Sequence, residues 1–244
     1  MQSIPRVYLP NIAPGDERAL PATVSHHLRR VLRLKPGAPI HVFDGDGNEY
    51  RAQLQSGERG AAGVAIEAVI RHEAEPVLAI ALAPSISRAT RMEWTLEKAV
   101  ELGAAAIHPV LTARGKVRLD AARTERRLAH WQAIIIAAAE QCGRARLPYL
   151  AAPAPLPDVL QNLRAQSRIV LLPDAQKPLP SLPEPQTSLA LLTGPESGFD
   201  DDEEERIAAA GWQAARIGPR TLRTETAGPA ALAAVQALWG DWRG

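Results

Sequence analysis

The sequence contains a single cysteine, Cys142, among its 244 residues. One cysteine cannot form an intrachain disulfide, and it excludes a zinc site built from several thiolates. No apolar run approaches the roughly 20 residues that a membrane-spanning helix needs, and residues 1–6 lack the apolar core of a signal peptide. We therefore expect a soluble, cytoplasmic protein with no metal and no membrane partner, in which Cys142 is a small buried residue.

The sequence also has little net charge, because 28 Lys and Arg residues stand against 27 Asp and Glu residues and give a formal charge of +1. A nucleic acid would therefore have to bind a local basic patch. One compact patch lies on and after a predicted helix and consists of His27, Arg29, Arg30, Arg33 and Lys35. Its charge pattern fits phosphate contacts, and it fits a solvated basic face equally well.

The first 72 residues have the pattern of a small β-rich unit. We predict a short amphipathic helix over Val24–Leu34 and strands over Arg6–Leu9, Ile40–Phe43, Glu49–Leu54 and Gly63–Ile70. Residues 44–48 resemble the start of a calcium loop, but Glu49 and Gln55 stand where that loop needs glycine and glutamate. A hairpin turn is therefore the better interpretation. Residues 71–76 are polar, end in proline and look like a linker.

From Val77 onward the pattern alternates between strands and helices. The predicted strands are Val77–Ala83, Ala106–Val110, Ile169–Leu172, Leu189–Thr193 and Ala214–Ile217. The predicted helices are Arg88–Leu102, Ala121–Cys142, Asp202–Ala210 and Pro229–Trp239, and the first three end before a glycine. The prolines between residues 153 and 185 predict rigid loops. This alternation predicts an α/β fold whose mostly parallel sheet is covered by helices on both faces.

Gly194–Gly198 is a glycine-bearing loop that directly follows a predicted buried strand. The six acidic residues Asp200–Glu205 come next, and we expect them to cap and stabilise a helix start. A phosphate-binding loop would need a lysine and bare amides, so these acids disfavour a polyphosphate ligand. They are compatible with a ligand that carries a sulfonium cation, such as S-adenosylmethionine (SAM).

A second loop, Ile217–Ala227, joins the last predicted strand to the final helix. We expect that helix to begin with Pro229 in its first turn, after a capping threonine. Capping does not explain why the loop also carries Arg220, Arg223 and Glu225. We therefore place the candidate active site in these two loops.

Taken together, Leu192–Phe199 and Ile217–Ala227 resemble the paired cofactor loops of the SPOUT methyltransferases. Residues 27–37, 43–47, 98–103 and 140–144 resemble further segments of one SPOUT family, RsmE, so the resemblance runs along nearly the whole chain. RsmE enzymes methylate N3 of a uridine in 16S ribosomal RNA. The resemblance thus implies a homodimer that uses SAM to methylate 16S rRNA or the small ribosomal subunit.

The resemblance also implies a fold. Residues 1–72 would form a PUA-like β-barrel domain that binds RNA. Residues 77–244 would form a SPOUT domain with a parallel sheet and a deep C-terminal trefoil knot. Because knots are rare, the periodicity of the sequence would never predict one.

Individual residues receive roles from the same resemblance. Arg223 would stabilise the uracil anion, and Glu225 would act as the base, as an orienting group for Arg223 or only as a helix-start carboxylate. SAM would contact Leu172, Pro173, Thr193, Gly194, Pro195, Glu196, Ser197, Gly198, Ile217, Gly218, Pro219 and Leu222. RNA would contact the basic patch of His27, Arg29, Arg30, Arg33 and Lys35, together with Arg114 and Arg144.

The chain departs from the RsmE pattern at three places. Ser197 stands where glycine is usual. Two outcomes are open: its Cβ narrows the cofactor pocket, or the backbone accommodates the side chain. Thr221 stands where isoleucine is usual, and Thr112–Gly115 differs from the family around the retained Arg114.

Two other functions stay open at this point. One is a SPOUT enzyme that acts on another base or on tRNA, and the other is an RNA-binding assembly factor without catalysis. A dinucleotide oxidoreductase is a distant third, because residues 83–87 lack the G-x-G-x-x-G turn that such enzymes use.

Overall fold

A computed structural model gives the fold of residues 4–57, 62–115 and 121–243. The chain divides into two compact units, the first made of residues 1–74 and 139–147 and the second of residues 75–138 and 148–244. The sequence pattern alone assigns residues 139–147 to the second domain, whereas the structure groups them with the first. The first unit is therefore discontinuous in sequence.

A five-stranded sheet forms the first unit. Its elements are β1 (Arg6–Tyr8), β2 (Glu17–Ala19), α1 (Ala22–His26), β3 (Pro39–Phe43), β4 (Asn48–Ser56) and β5 (Ala62–His72). The strand order is β1-β3-β4-β5-β2, with β1 parallel to β3 and the other neighbours antiparallel. In β4, Tyr50, Ala52 and Leu54 are buried while Arg51 and Gln53 are exposed. This alternation is that of a strand with one face in a core.

The helix predicted over Val24–Leu34 is shorter and less regular than expected. α1 passes into a π-helical turn over His27–Val31. The wider turn rotates the helix face, so that Leu28 is buried while Val31 is 58% exposed. Arg33 follows with a φ of 55°, a left-handed conformation that is uncommon for a residue with a side chain.

A partly buried ionic network connects the strands of the first unit to residues 139–147. Glu49 accepts hydrogen bonds from Arg6 Nε at 2.8 Å and from Arg71 Nε at 2.9 Å. Burial by itself would raise the pKa of Glu49, but the hydrogen bonds and charges of the two arginines outweigh it and lower the pKa. Arg6 also donates to the carbonyl oxygens of Ala139, Glu140 and Arg144.

The second unit contains a six-stranded sheet in which all neighbours are parallel. The strands of the second unit, six in this sheet and two in a separate pair, are β6 (Ala79–Pro84), β7 (Ala106–Ile107), β8 (Val110–Leu111), β9 (Tyr149–Leu150), β10 (Ala154–Pro155), β11 (Ser167–Leu171), β12 (Ser188–Thr193) and β13 (Gln213–Ala215). The order is β13-β11-β12-β6-β7-β9, and β8 and β10 form a separate parallel pair. β12 is central, and residues 189–193 are all buried, as expected for a strand covered on both faces.

The helices of the chain beyond residue 74 are α2 (Ala89–Glu101), α3 (Ala121–Cys142), α4 (Leu156–Asn162), α5 (Asp201–Ala209) and α6 (Thr224–Trp239). The bounds of α2, α3 and α5 agree with the prediction to within one residue. Strands and helices alternate, so the predicted α/β class with a parallel sheet is confirmed.

The last helix begins at Thr224, five residues before the predicted start. Its N-cap is Arg223 and no side chain caps it, so the predicted threonine cap is wrong. Pro229 therefore lies in the second turn, where its missing N–H removes one helix hydrogen bond. Packing explains why the helix persists: at Gly228 an added Cβ would lie 3.3 Å from the side chain of Leu82, so α6 contacts β6 closely there.

Two further predictions of local structure are wrong. α4 lies where the prolines predicted a rigid loop, because Pro157 occupies its first turn, which tolerates proline, and Leu156, Val159 and Leu160 are buried. The strand predicted over 106–110 consists of the two short strands β7 and β8.

Within residues 4–57, 62–115 and 121–243, no helix is long and apolar enough to cross a membrane. The same ranges contain no group of three or more His, Cys, Asp or Glu residues that could hold a metal ion. Cys142, which we expected to be buried, is exposed.

Candidate active site

Loops that follow the three adjacent strands β13, β11 and β12 line one cavity of about 780 Å³. In a parallel sheet such loops lie at the same edge, which is where ligands of open α/β sheets bind. The volume falls in the range of roughly 300–1,000 Å³ that is typical of small-molecule sites. The cavity lies within the second unit.

The loop after β11 is anchored to β13 by its backbone. Leu172 N donates to the carbonyl oxygen of Ala215 at 3.0 Å, and Ala175 N donates to the carbonyl oxygen of Leu172 at 3.2 Å. Leu172, Pro173, Asp174 and Ala175 all line the cavity. This part of the wall is therefore fixed by main-chain hydrogen bonds.

The loop after β12 turns tightly at glycine. An added Cβ on Gly194 would lie 3.0 Å from the ring of Phe199, and Gly198 has a left-handed φ of 71°, which favours glycine. At the start of the loop, Thr193 is 1% exposed. Its Oγ1 has no hydrogen-bond partner in the part of the chain that the structure describes, and Thr193 lines the cavity.

Arg114 binds this loop through hydrogen bonds, and Glu203 fixes the segment that carries Arg114. Arg114 donates to the carbonyl oxygens of Phe199 at 2.9 Å and Ser197 at 3.3 Å. Ser197 Oγ donates back to the carbonyl oxygen of Arg114 at 3.4 Å. Glu203 accepts a hydrogen bond from Ala113 N at 2.8 Å, so the segment that carries Arg114 is itself tied to α5.

The acidic run starts α5 as predicted. Asp200 accepts from Glu203 N at 2.8 Å, and Glu203 Oε2 accepts from Asp200 N at 3.2 Å, which is a capping box. Glu204 lines the cavity. The run therefore has a structural role at the helix start, and one of its members also reaches the cavity.

The loop after β13 carries three arginines that line the cavity. Arg216 donates to the carbonyl oxygen of Ala175 at 2.8 Å and so joins this loop to the one after β11. Arg220 and Arg223 are exposed, and neither forms an ion pair within residues 4–57, 62–115 and 121–243. Gly218 has a left-handed φ of 66°, which allows the chain to turn toward α6.

Arg91, on α2, connects the loop after β12 with the first turn of α6. Its guanidinium forms an ion pair with Glu196, and its Nε lies 3.6 Å from Glu225 Oε1. The side chains of Arg91, Glu196 and Glu225 are 35%, 37% and 16% exposed. Glu225 Oε2 is buried and has no hydrogen-bond partner among the described residues.

The structure brings most of the predicted site residues to this cavity. Those that line it are Leu172, Pro173, Thr193, Gly194, Pro195, Glu196, Ser197, Gly198, Ile217, Leu222, Arg223 and Arg114. Gly218, Pro219 and Glu225 are not among the lining residues. Ser197 lines the cavity without a left-handed backbone, so its Cβ causes no backbone strain.

Sequence reasoning missed other lining residues, among them Arg91, Asp174, Phe199 and Arg216. Phe199 directly follows the recognised loop Gly194–Gly198, and this position was a usable signal. Arg91 had no local signal, because it lies on a helix 105 positions before Glu196.

The other predicted RNA contacts belong to the first unit. His27, Arg30, Arg33 and Lys35 are exposed, and Arg29 is half-buried. Arg144 differs from them, because its side chain is only 15% exposed and lies 3.7 Å from Glu73. Burial lowers the pKa of Arg144.

Comparison with known proteins agrees with this architecture. Residues 73–236 match the RNA methyltransferase domain family, and residues 20–67 match the RNA methyltransferase PUA domain family. A ribosomal RNA small subunit methyltransferase E from Synechocystis is 34% identical over 93% of this chain and 76% of its own length. One from Buchnera aphidicola is 30% identical over 98% of both chains.

Solved structures are similar over nearly the whole chain. A ribosomal RNA small subunit methyltransferase E from Neisseria gonorrhoeae bound to S-adenosyl methionine has a TM-score of 0.90 and 38% identity, with 98% of this chain and 100% of that chain covered. A Legionella pneumophila methyltransferase in complex with SAM has a TM-score of 0.93 and 35% identity, with 98% and 99% covered.

The fold and the matches thus define an RNA methyltransferase domain preceded by a PUA domain. The chain belongs to the ribosomal RNA small subunit methyltransferase E family, which is the RsmE family that its motifs resemble.

Proposed function

We propose that this chain transfers a methyl group from SAM to N3 of a uridine in 16S rRNA of the small ribosomal subunit. The observation that carries the proposal is the cavity at the ends of β13, β11 and β12. It is lined by the same loops that the family resemblance assigns to SAM. Two relatives of at least 35% identity were solved with SAM bound.

The residues of the cavity fit SAM. Apolar side chains such as Leu172, Ile217 and Leu222 form part of the wall. The buried, unpartnered hydroxyl of Thr193 offers a polar contact. Gly194 and Gly198 let the chain pass close to a ligand. Asp174, Glu196 and Glu204 supply negative charge for a cationic ligand.

Methylation at uridine N3 requires the imide proton to leave, after which negative charge spreads over O2 and O4. SAM, when bound, supplies an electrophilic methyl group and departs as a neutral thioether. Arg223, exposed at the cavity and without an ion pair in the described residues, would stabilise the uracil anion. Glu225 is ion-paired with Arg91, so we assign it to orienting that arginine.

RNA binding would involve the first unit. N3 is hidden in a Watson–Crick pair, so the target uridine has to be unpaired or splayed out. We assign residues 1–72 to an RNA-binding PUA-like domain and residues 77–244 to a SPOUT domain that transfers the methyl group. The exposed Arg30, Arg33 and Lys35 would contact phosphates.

We also propose the trefoil knot and the homodimer. After β13 the chain runs beside the loop that follows β11, where Arg216 N donates to Lys177 and Leu179 N donates to Arg216, both at 3.0 Å. It then enters α6, which contacts β6 and β12. This path fits threading through that loop. An experimental backbone trace tests the knot, and sedimentation equilibrium tests the dimer.

The function is tested by incubating the purified chain with SAM and either small subunits or 16S rRNA from cells that lack the gene. Mass spectrometry of the nucleosides should then show 3-methyluridine. Parallel reactions with 50S subunits and tRNA should show none. Methylation of tRNA or of another base would favour a different SPOUT activity. SAM binding below detection would favour an assembly factor without catalysis.

A further inference from the structure

Arg91 differs from the other arginines of the cavity in its partners. Arg114 and Arg216 donate to main-chain carbonyl oxygens, and Arg220 and Arg223 face solvent. Among the arginines that line the cavity, only Arg91 is ion-paired with carboxylates of the described residues, those of Glu196 and Glu225. We call these three residues the Arg91 trio.

The formal charge of the Arg91 trio is −1, because two carboxylates surround one guanidinium. Arg91 and Glu196 line the cavity. Glu225 stands behind Arg91 in the first turn of α6, with one buried oxygen that no described residue satisfies. The trio therefore places a charge of −1 beside the cavity, where Arg220 and Arg223 are also exposed, and Glu225 Oε2 has no donor among the described residues.

Stability gives little reason for this arrangement. Arg91 and Glu196 are each more than one-third exposed, and ion pairs in that setting contribute little to the free energy of folding. A carboxylate with a buried, unsatisfied oxygen is unfavourable. The trio adds little stability, yet two of its members line a ligand-sized cavity, which indicates a role toward the ligand.

We infer that the Arg91 trio makes the cavity prefer the sulfonium cofactor over its neutral thioether product. This inference rests on the proposed use of SAM. SAM carries one more positive charge than S-adenosylhomocysteine, so a nearby charge of −1 stabilises the first and leaves the second nearly unaffected. Arg91 is a positioning residue here: it holds Glu196 at the wall and keeps the charge at −1.

The consequence for turnover is direct. The attraction exists while the methyl group is on the cofactor and ends when the group has been transferred. The product then lacks this attraction at its sulfur, which favours its exchange for a new cofactor molecule.

The experiment measures dissociation constants of the full-length protein by isothermal titration calorimetry, without RNA. The ligands are SAM, S-adenosylhomocysteine and sinefungin, an analogue with a protonated amine where SAM has the sulfonium. The readout is the ratio of the dissociation constant of S-adenosylhomocysteine to that of SAM. The variants change the charge of the trio in both directions.

Glu196→Gln and Glu225→Gln bring the trio to zero, so each should lower this ratio about 3- to 10-fold. Arg91→Met brings it to −2 and should raise the ratio by a similar factor. Arg91→Lys keeps the charge and should leave the ratio within about twofold of the wild type. Sinefungin should follow SAM in every variant.

A purely structural trio would weaken SAM and S-adenosylhomocysteine equally in all variants, and that result overturns the inference. Shifts of the ratio in the same direction for Arg91→Met and Glu196→Gln overturn it as well. If wild-type protein binds neither ligand, the proposed function fails and the inference falls with it. If wild-type protein binds SAM and methylates rRNA while the ratio stays constant, only the inference fails.

Discussion

In the first unit Arg6 and Arg71 are paired, whereas at the cavity of the second unit two arginines have no carboxylate partner in the described residues. Arg6 and Arg71 converge on Glu49, whose side chain is 7% exposed. Arg220 and Arg223 reach solvent at the cavity without a carboxylate partner in the described residues. The same side chain therefore stabilises a fold in one place and remains available to a ligand in the other.

This difference indicates which basic residues are better assigned to ligand binding and which to stability. Sequence pattern places Arg144 with the RNA contacts, which stays a prediction, and its low exposure and neighbouring carboxylate are like those of the structural arginines. Arg223 has neither feature. Pairing and burial, rather than the presence of arginine in a recognised motif, separate the two roles.

The largest effect should come from removing the arginine proposed to act in catalysis. We expect Arg223→Ala to lower the single-turnover rate of rRNA methylation about 10²- to 10³-fold, because a preorganised cation at a developing anion contributes on that scale. Its free energy of unfolding should change by less than about 0.5 kcal/mol, since the side chain is exposed. Arg220→Ala is the matched control and should cost less than tenfold. Equal losses in the two variants would show that general positive charge, rather than Arg223, is what matters.

A change at Glu49, which pairs with Arg6 and Arg71, should affect stability and not catalysis. Glu49→Gln leaves Arg6 and Arg71 without their shared carboxylate, and we expect it to lower the free energy of unfolding by about 2–3 kcal/mol. Glu67→Gln, which breaks the exposed pair with Arg51, should cost at most about 0.5 kcal/mol.

Urea unfolding followed by two signals locates the lost stability. All five tryptophans belong to the second unit, so their fluorescence reports that unit, while circular dichroism reports both. The Glu49→Gln variant should shift the dichroism transition more than the fluorescence transition. A shift confined to fluorescence would contradict the assignment of this network to the first unit.

Acid should remove the same contribution. Because the pKa of Glu49 is lowered in the folded protein, its stabilising contribution is fully present above the ordinary glutamate pKa. It is lost as the pH falls through the lowered value. The difference in free energy of unfolding between the wild-type protein and Glu49→Gln should therefore shrink in that acid range. A stability difference that stays constant throughout the range would contradict the pKa shift.

A smaller effect is expected at Arg114, which combines both behaviours because it lines the cavity and donates to two loop carbonyls. Arg114→Ala should raise the dissociation constant for SAM about 3- to 10-fold through loosening of the loop. Ser197→Gly, in the same loop, should change it less than about twofold, since the backbone of Ser197 is not left-handed. Calorimetric titration of both variants checks this. Unchanged SAM affinity with weaker RNA binding would return Arg114 to the RNA contacts.

The smallest effect per residue should be at the basic patch. Replacing both Arg30 and Arg33 by alanine should flatten the slope of log binding constant against log salt concentration by about 1.4, which is about 0.7 per phosphate contact on single-stranded RNA. Arg51→Ala removes an exposed but paired arginine of the same unit and should leave the slope unchanged. Filter binding at several salt concentrations gives the slopes. Equal slopes for all proteins would identify the patch as a solvated surface.

Features that depend on neighbouring residues were readable from the sequence. The helix ends at Gly103, Gly143 and Gly211 and the acidic helix start at Asp200–Glu205 follow from local chemistry. The two loops that line the cavity were located because glycines follow a predicted buried strand in the first, and because helix capping leaves the arginines of the second unexplained.

Features that depend on distant packing were not readable. The start of α6 at Thr224 reflects contact of Gly228 with Leu82, which overrides the preference of proline for a first turn. Arg91 reaches the cavity from a separate helix, so no spacing in the sequence links it to Glu196. The π-helical turn at His27–Val31 changed which apolar side chains face the core.

The discontinuity of the first unit bears on how the protein is made. Arg6 donates to carbonyl oxygens 133 to 138 positions later in the chain, and Arg71 donates to Gly143. A nascent chain that has emerged only as far as residue 74 lacks these acceptors. Its N-terminal part therefore completes its bonding only after residue 147 has left the ribosome. An excised 1–74 fragment is for the same reason a poor portable module, and a fusion design needs to carry residues 139–147 along.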